Sequence, residues 1–260
     1  MALKNHSVFY YGHKIDSNNN LIPFKDGASV EKIAELPVGS YTLTKFVQTI
    51  VAALNAASSL DWDGSVDRAT RIVTLTSSGP ASLLFATGST ALNSPYLLLG
   101  FTASDLINQT SFVGSSGSGS EYRPQFPIQD YMGKDKNKKL VNAVVTKSAS
   151  GDAVSVQSFG VDRYIRGNIK FITNEPTAGI LRNNPNAVEE VQNFMDYIIE
   201  KNPIEFMENE NDVNTFDRVY LENTIDGMGG TSYELSEYFD RSLPGYYETG
   251  ALTFRIINIE

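Results

Sequence analysis

The chain has 260 residues, of which 41% are hydrophobic and 20% charged; its net charge is −9 and it has no cysteine. It is long enough for one large or two ordinary domains, the missing thiols exclude disulfides and thiolate metal sites, and no apolar run reaches the roughly 18 residues that span a bilayer. Residues 184–260 carry 16 acidic and 4 basic side chains, net −12, against +3 for residues 1–183. This split can steer complementary protein surfaces together, whereas the lack of a dominant basic stripe argues against nucleic acid as a partner.

Residues 7–11 are aromatic and β-branched and predict a strand. The Asn-rich stretch 17–20 predicts a turn, and residues 21–24 a returning strand whose Pro23 argues for an edge position; together they predict a hairpin over 7–24. A helix is expected over 45–57, with Thr42 or Thr44 as N-cap and Ser58-Ser59 ending it. Val47, Ile50, Val51 and Leu54 form its apolar face, leaving Lys45 and Gln48 outside. Residues 71–76 alternate, with Ile72 and Thr74 on one side and Val73 and Leu75 on the other, and read as a short strand. Residues 83–86 and 96–101 are further apolar runs. The Gly/Ser stretch 114–120 offers no core-forming residue and is expected to be a flexible loop or domain boundary.

Residues 134–139, rich in lysine, read as an exposed loop tip. Residues 141–146 and 153–159 predict a strand pair, and 164–173 another strand. A second helix is expected over 187–200, with Val188, Val191, Met195 and Ile198 as its stripe and Phe194 beside it. Strands at 204–207 and 252–257 complete the chain. The expected class is α+β, mainly antiparallel β, sandwich- or barrel-like, with these two substantial helices. The expected division is an N-terminal module of residues 1–120 and a C-terminal α+β domain of residues 121–260, or an arrangement in which terminal strands share one sheet.

Little in the chain suggests chemistry. The two histidines, His6 and His13, lack an accompanying nucleophile elbow, although Asp16 is near His13 in sequence; both read as polar residues flanking the first hairpin. The serine in Gly117-Ser118-Gly119 falls in the loop expected to be flexible. The alternating acids Glu208, Glu210 and Asp212 lack the central glycine and spaced final glutamate of a calcium loop, and a solvated acidic turn is the simpler reading. Gly227-Met228-Gly229-Gly230 is followed by Thr231 without the lysine that a phosphate-binding loop needs. Neither a catalytic site, a cofactor nor a resident metal is expected. Residues 1–6 lack the apolar core of a signal peptide, so the chain is expected to stay soluble where it is made.

One stretch is more specific. Gly39-Ser40-Tyr41-Thr42 leads into the first helix, which ends in Leu54-Asn55; a strand with Thr74 and Thr76 follows, then Leu98-Leu99-Gly100-Phe101. This order resembles a recurrent segment of virion proteins from tailed bacteriophages and some other viruses. A second likeness lies at the end of the chain. There the helix at 187–200, the strand at 204–207, a polar loop and the segment from Gly245 to Arg255 look like tail-tip and baseplate proteins, distal tail proteins among them. The resemblance implies a non-enzymatic structural protein, made in the host cytoplasm and carried in the virion tail. It also implies a ring of identical copies, commonly six, joined to other tail and baseplate proteins. Capsid-associated, fibre or receptor-binding roles are the alternatives, with a tail-borne glycan hydrolase behind them. In such a ring, Lys134, Lys136, Lys138 and Lys139 are interface candidates that would face Glu208, Glu210 and Asp212.

Overall fold

The computed structural model describes residues 7–124, 129–132, 138–140, 144–147, 153–157, 161–169, 172–173, 187–209, 212, 215–222, 236–237 and 245–257. For 129–132, 138–140, 144–147, 153–157, 161–162, 187 and 236–237 the description is of the backbone. In chain order the elements are β1 (Val8–Tyr11), β2 (His13–Ile15), β3 (Leu21–Asp26), β4 (Lys32–Glu35), β5 (Gly39–Tyr41), α1 (Leu43–Ala57), β6 (Trp62–Asp67), β7 (Ile72–Leu84), β8 (Asp105–Val113) and β9 (Ser120–Tyr122). There follow β10 (Gln129–Met132), β11 (Lys138–Leu140), β12 (Val144–Lys147), β13 (Ala153–Gln157), β14 (Val161–Asn168) and α2 (Ala187–Ile199). The last are β15 (Ile204–Met207), β16 (Asp217–Leu221), β17 (Ser236–Glu237), β18 (Tyr247–Glu248) and β19 (Leu252–Ile256). The strands are mostly antiparallel, as is every pair whose register is described, and the sheets are not closed into a barrel. The class is α+β, with both helices where the apolar periodicity places them.

The chain forms two compact units. The N-terminal unit takes in Val8–Arg123 and Asn202–Phe216; the C-terminal unit takes in Met1–Ser7, Pro124–Lys201 and Asp217–Glu260.

In the N-terminal unit, α1 forms because its sequence carries one apolar stripe and a good start. Thr42 is the N-cap, its hydroxyl accepting from the Lys45 amide at 3.4 Å. Leu43, Phe46, Val47, Ile50, Ala53 and Leu54 are buried, Val51 is half-buried, and Lys45 and Gln48 are exposed. Asn55, the residue after Leu54, clasps the start of β6: its amide donates to the Trp62 carbonyl at 2.9 Å and its side-chain oxygen accepts from the Trp62 amide at 2.6 Å. Helix end and strand start are thereby fixed together. The stripe packs against a five-stranded sheet in which β4, β3, β7 and β6 follow one another and β8 pairs with β7. Leu54 has no exposed surface. Leu54→Ala is therefore expected to cost about 2–5 kcal/mol, read as a lower urea midpoint by the fluorescence of Trp62, the chain's one tryptophan and itself in this core. A loss below about 1 kcal/mol would show that the site collapses around the smaller side chain.

The structure corrects several strand expectations. β1 does not return through β3: it pairs with β15 and β9, while β2 pairs with β5. The asparagine turn does form, with the Asp16 amide donating to Asn19 Oδ1 at 2.7 Å, but it joins β2 to β3 without pairing them. β3 lies between β4 and β7 and is not an edge. Pro23 is tolerated because β3 pairs with β7 only over Phe24, Lys25 and Asp26, so its missing N–H faces no β7 partner. β7 does not stop at Thr76 but runs to Leu84. Its alternation holds at Val73 and Leu75, both fully buried, and Gly79-Pro80 falls where its partner changes from β6 to β3 and the ladder is irregular.

The C-terminal unit contains the strand order β10, β14, β19, β16, with β11 also on β14, and the hairpins β12–β13 and β17–β18. Val191, Phe194, Met195 and Ile198 of α2 are buried, as are Val219 and Leu221 of β16 and Leu252, Phe254 and Ile256 of β19. Glu189 and Glu190 lie in the first turn of α2, where negative charge complements the helix dipole.

Candidate functional site

Three clusters of ionisable side chains in the N-terminal unit tie elements together. The first is at the start of α1. Glu205 on β15 is fully buried; it pairs with Arg68 at 2.8 Å and accepts the Thr44 amide, near the N-terminus of α1, at 2.9 Å. Arg68 also donates to the Thr44 hydroxyl, stacks 3.3 Å over the Phe216 ring, and accepts the Tyr10 hydroxyl on its carbonyl at 2.7 Å. A carboxylate at a helix N-terminus is favoured by the exposed amides there, and the guanidinium supplies the opposite charge that burial requires.

The second cluster surrounds His13, which the sequence suggests as a polar residue flanking the first hairpin; the side chain is fully buried, 5.1 Å from the Phe46 ring. Ser118 Oγ donates to the Leu98 carbonyl at 2.6 Å and lies 3.2 Å from His13 Nε2. The serine proton being committed to Leu98, His13 is the donor through Nε2–H, and its Nδ1 has no partner among the described residues. Burial, with the Arg71 guanidinium nearby, lowers the His13 pKa to about 3. The folded state thus keeps His13 neutral at pH values where the unfolded chain, with an ordinary pKa near 6.5, binds a proton. Stability is present above about 6.5 and falls as pH drops from there toward about 3, with a slope of about 1.4 kcal/mol per pH unit for one proton. In His13→Gln this contribution to the slope between pH 4 and 6 is expected to vanish in urea titrations; an unchanged slope would place the titration elsewhere.

Ser118 belongs to the Gly/Ser stretch, which is held by backbone hydrogen bonds and ends shortly before the division between the two units at Arg123 and Pro124. Gly114, Ser116, Ser118 and Gly119 donate their amides to the carbonyls of Val73, Gly100, Arg71 and Leu98 at 2.8–3.0 Å. Its lack of core-forming side chains is offset by backbone bonds to the Leu98-Leu99-Gly100-Phe101 turn and the start of β7. The sequence carried no local signal of this, because the partners lie far off in the chain.

The third cluster is Asp26. Its carboxylate takes the Lys32 ammonium at 2.6 Å, the Ser58 hydroxyl at 2.8 Å, and the Ser59 amide and hydroxyl at 2.8 and 2.9 Å. Burial alone would raise its pKa; the lysine and serine donors outweigh that and hold it at about 2. The end of α1 is thereby pinned to β3.

Two open grooves are among the indentations of this unit. One, of about 320 Å³, is lined by Glu35, Pro37, Lys45, Gln48 and Thr49; the other, of about 540 Å³, by Phe85, Ser89, Leu92, Tyr96 and Ala103. Neither sets two carboxylates across a cleft. Among the described residues no cluster of His, Cys, Asp or Glu has the spacing to hold a metal ion, and no helix is long and apolar enough to cross a membrane.

The charged interface candidates are only partly described. Lys134, Lys136 and Glu210 lie outside the described residues, as do His6 and the glycines at 227–230. Lys138 and Lys139 are in strand β11, paired with Arg163 and Asp162 of β14, and not at a loop tip. Glu208 and Asp212 are exposed, and Asp212 accepts the Thr215 hydroxyl at 2.7 Å within a turn. The two lysines belong to the C-terminal unit and the two acids to the N-terminal unit. No family model matches the chain, and no curated protein matches its sequence.

Proposed function

We propose that this chain is a non-enzymatic structural component of a tailed-bacteriophage virion. In this reading it forms a ring at the tail tip and joins the tail tube to the host-recognition apparatus. The order from Gly39 to Phe101 carries the proposal. Each part of that order has a packing role: Gly39–Tyr41 is β5, Thr42 caps α1, Leu54 and Asn55 bind helix to sheet, and Leu99 and Phe101 enter the core. The contacts of Glu205, His13 and Asp26 accord with the same reading, because each of them ties one element to another.

Electron microscopy of the intact particle tests this directly. The expected result is density for the chain in a ring at the end of the tail tube. A particle without it would end the reading, and so would turnover of host-envelope polysaccharide by the purified protein that disappears when one carboxylate is replaced.

A further inference from the structure

The Gly/Ser segment lies directly on the His13 ring. A Cβ added to Gly119 would stand 2.5 Å from Nε2 and 2.6 Å from Cε1, so the Gly119 backbone is one wall of the imidazole's site. Three sets of hydrogen bonds hold it there. The amides of Gly114, Ser115, Ser116, Ser118 and Gly119 donate to the carbonyls of Val73, Gly100, Arg71 and Leu98. The Arg71 guanidinium donates to the Ser118 and Gly119 carbonyls at 2.9 and 3.0 Å. His13 Nε2 lies 3.2 Å from Ser118 Oγ. Residues 114–119 bring no apolar side chain to the core, and segments held by hydrogen bonds with few apolar contacts are the first to open locally.

These contacts suit a neutral ring only. An imidazolium donates from both nitrogens, and Nδ1 has no acceptor among the described residues. The charged and titratable groups around the site do not compensate. Arg71, from the turn between β6 and β7, sets a second positive charge near the ring. Glu121 of β9 is engaged by Arg71 at 3.3 Å and by Arg123 at 3.0 Å. Tyr41, opposite His13 on β5, donates its hydroxyl to the Pro37 carbonyl at 2.6 Å. Tyr10 of β1 faces Arg71 with its ring, 5.5 Å away, and donates its hydroxyl to the Arg68 carbonyl. Lys14, next in β2, is exposed.

We propose that residues 114–119 are an acid-opened latch over His13: protonation of the imidazole releases the segment while the rest of the N-terminal unit stays folded. Release frees the backbone of the Leu98–Phe101 turn, whose Leu99 and Phe101 are buried in the closed form. With the latch closed the His13 pKa is about 3; with it lifted, water reaches the ring and the ordinary value near 6.5 returns. The closed form therefore has its full advantage above about pH 6.5 and loses it as pH falls from there toward about 3. The transition is set by the open form, so the latch responds in mildly acidic solution although the closed ring titrates far lower. Between pH 7 and pH 5 the opening constant rises about 25-fold.

Native-state amide exchange in the full-length protein tests the latch, with rates corrected for the intrinsic effect of pH on exchange. The probes are the amides of Gly114, Ser116, Ser118 and Gly119; those of Ile50 and Leu54, buried in α1, report opening of the whole unit. The latch amides are expected to exchange faster than the α1 amides and with little dependence on low concentrations of urea, because a local opening exposes little surface. Their opening constant should rise about 25-fold from pH 7 to pH 5 in the wild type and less than about twofold in His13→Gln, which has no titrating ring. Latch amides that share the rate and urea dependence of α1 overturn the proposal, since the segment then opens only with the whole unit. A wild-type rise below about threefold overturns it too, as does a full rise retained in His13→Gln. Should that variant not fold, the wild type still decides. The His13 ring, followed by NMR, is expected to stay neutral from pH 7 to pH 5 in the closed form, and a ring that titrates near 6.5 with the segment closed overturns the proposal.

Discussion

Glu205→Ala is expected to destabilise the N-terminal unit by about 3–5 kcal/mol, the cost of breaking a buried ion pair by removing one partner. The deleted carboxylate has no exposed surface and engages two groups: the Arg68 guanidinium at 2.8 Å and the Thr44 amide at 2.9 Å. Removing it strands a positive charge with 13% of its side chain exposed and an early amide of α1. It also releases β15 from the helix it anchors. Truncating both partners, Arg68→Met with Glu205→Met, should recover a large part of the loss, because apolar groups of similar size often replace a buried pair at little net cost. Urea unfolding followed at Trp62 separates the outcomes, provided the slope with denaturant stays constant. A single-variant loss below about 1 kcal/mol, the range of exposed pairs, would show that Arg68 reaches solvent and that the cluster is peripheral.

That cluster was illegible in the sequence. Arg68 and Glu205 are 137 residues apart, and neither sits in a pattern that singles it out from the chain's other 49 Asp, Glu, Lys and Arg residues. The same holds for His13 and Ser118, separated by 105 residues. Local signals fared better because their physics is local. The helical stripe, the Thr42 cap and the alternation at Val73 and Leu75 each depend on neighbours within a turn or a strand. The strand pairings depend on which distant segment arrives, and there the sequence misled: adjacency suggested a hairpin over 7–24, whereas β1 pairs with β15 and β9. Proline was also read too simply. Pro23 signals a missing donor, and an edge is one of two places where that is harmless; the other is the stretch of an interior strand that has not yet met its second neighbour.

Side-chain poverty misled in the same way at 114–120. Residues without apolar side chains cannot build a core, but their amides can still close one. Gly100 is where this has its largest consequence. Its φ is +80°, and a Cβ there would lie 2.1 Å from the Ser116 carbonyl oxygen. That oxygen is backbone, and it belongs to a segment already held by the amides of Gly114, Ser116, Ser118 and Gly119. Gly100→Ala should therefore cost about 3–5 kcal/mol, combining strain at positive φ, about 1–3 kcal/mol, with a steric displacement of the kind that yields the largest single-site losses. Gly27→Ala is the control within the same unit: its φ is +60°, and its added Cβ would meet only the Pro80 carbonyl oxygen at 3.7 Å, an ordinary contact. It should lose about 1–2 kcal/mol, the left-handed penalty alone. The difference between the two urea midpoints measures the resistance of the Gly/Ser segment to being pushed. Equal losses would mean that residues 114–120 give way freely, and the segment would then behave as the flexible connection its composition suggests.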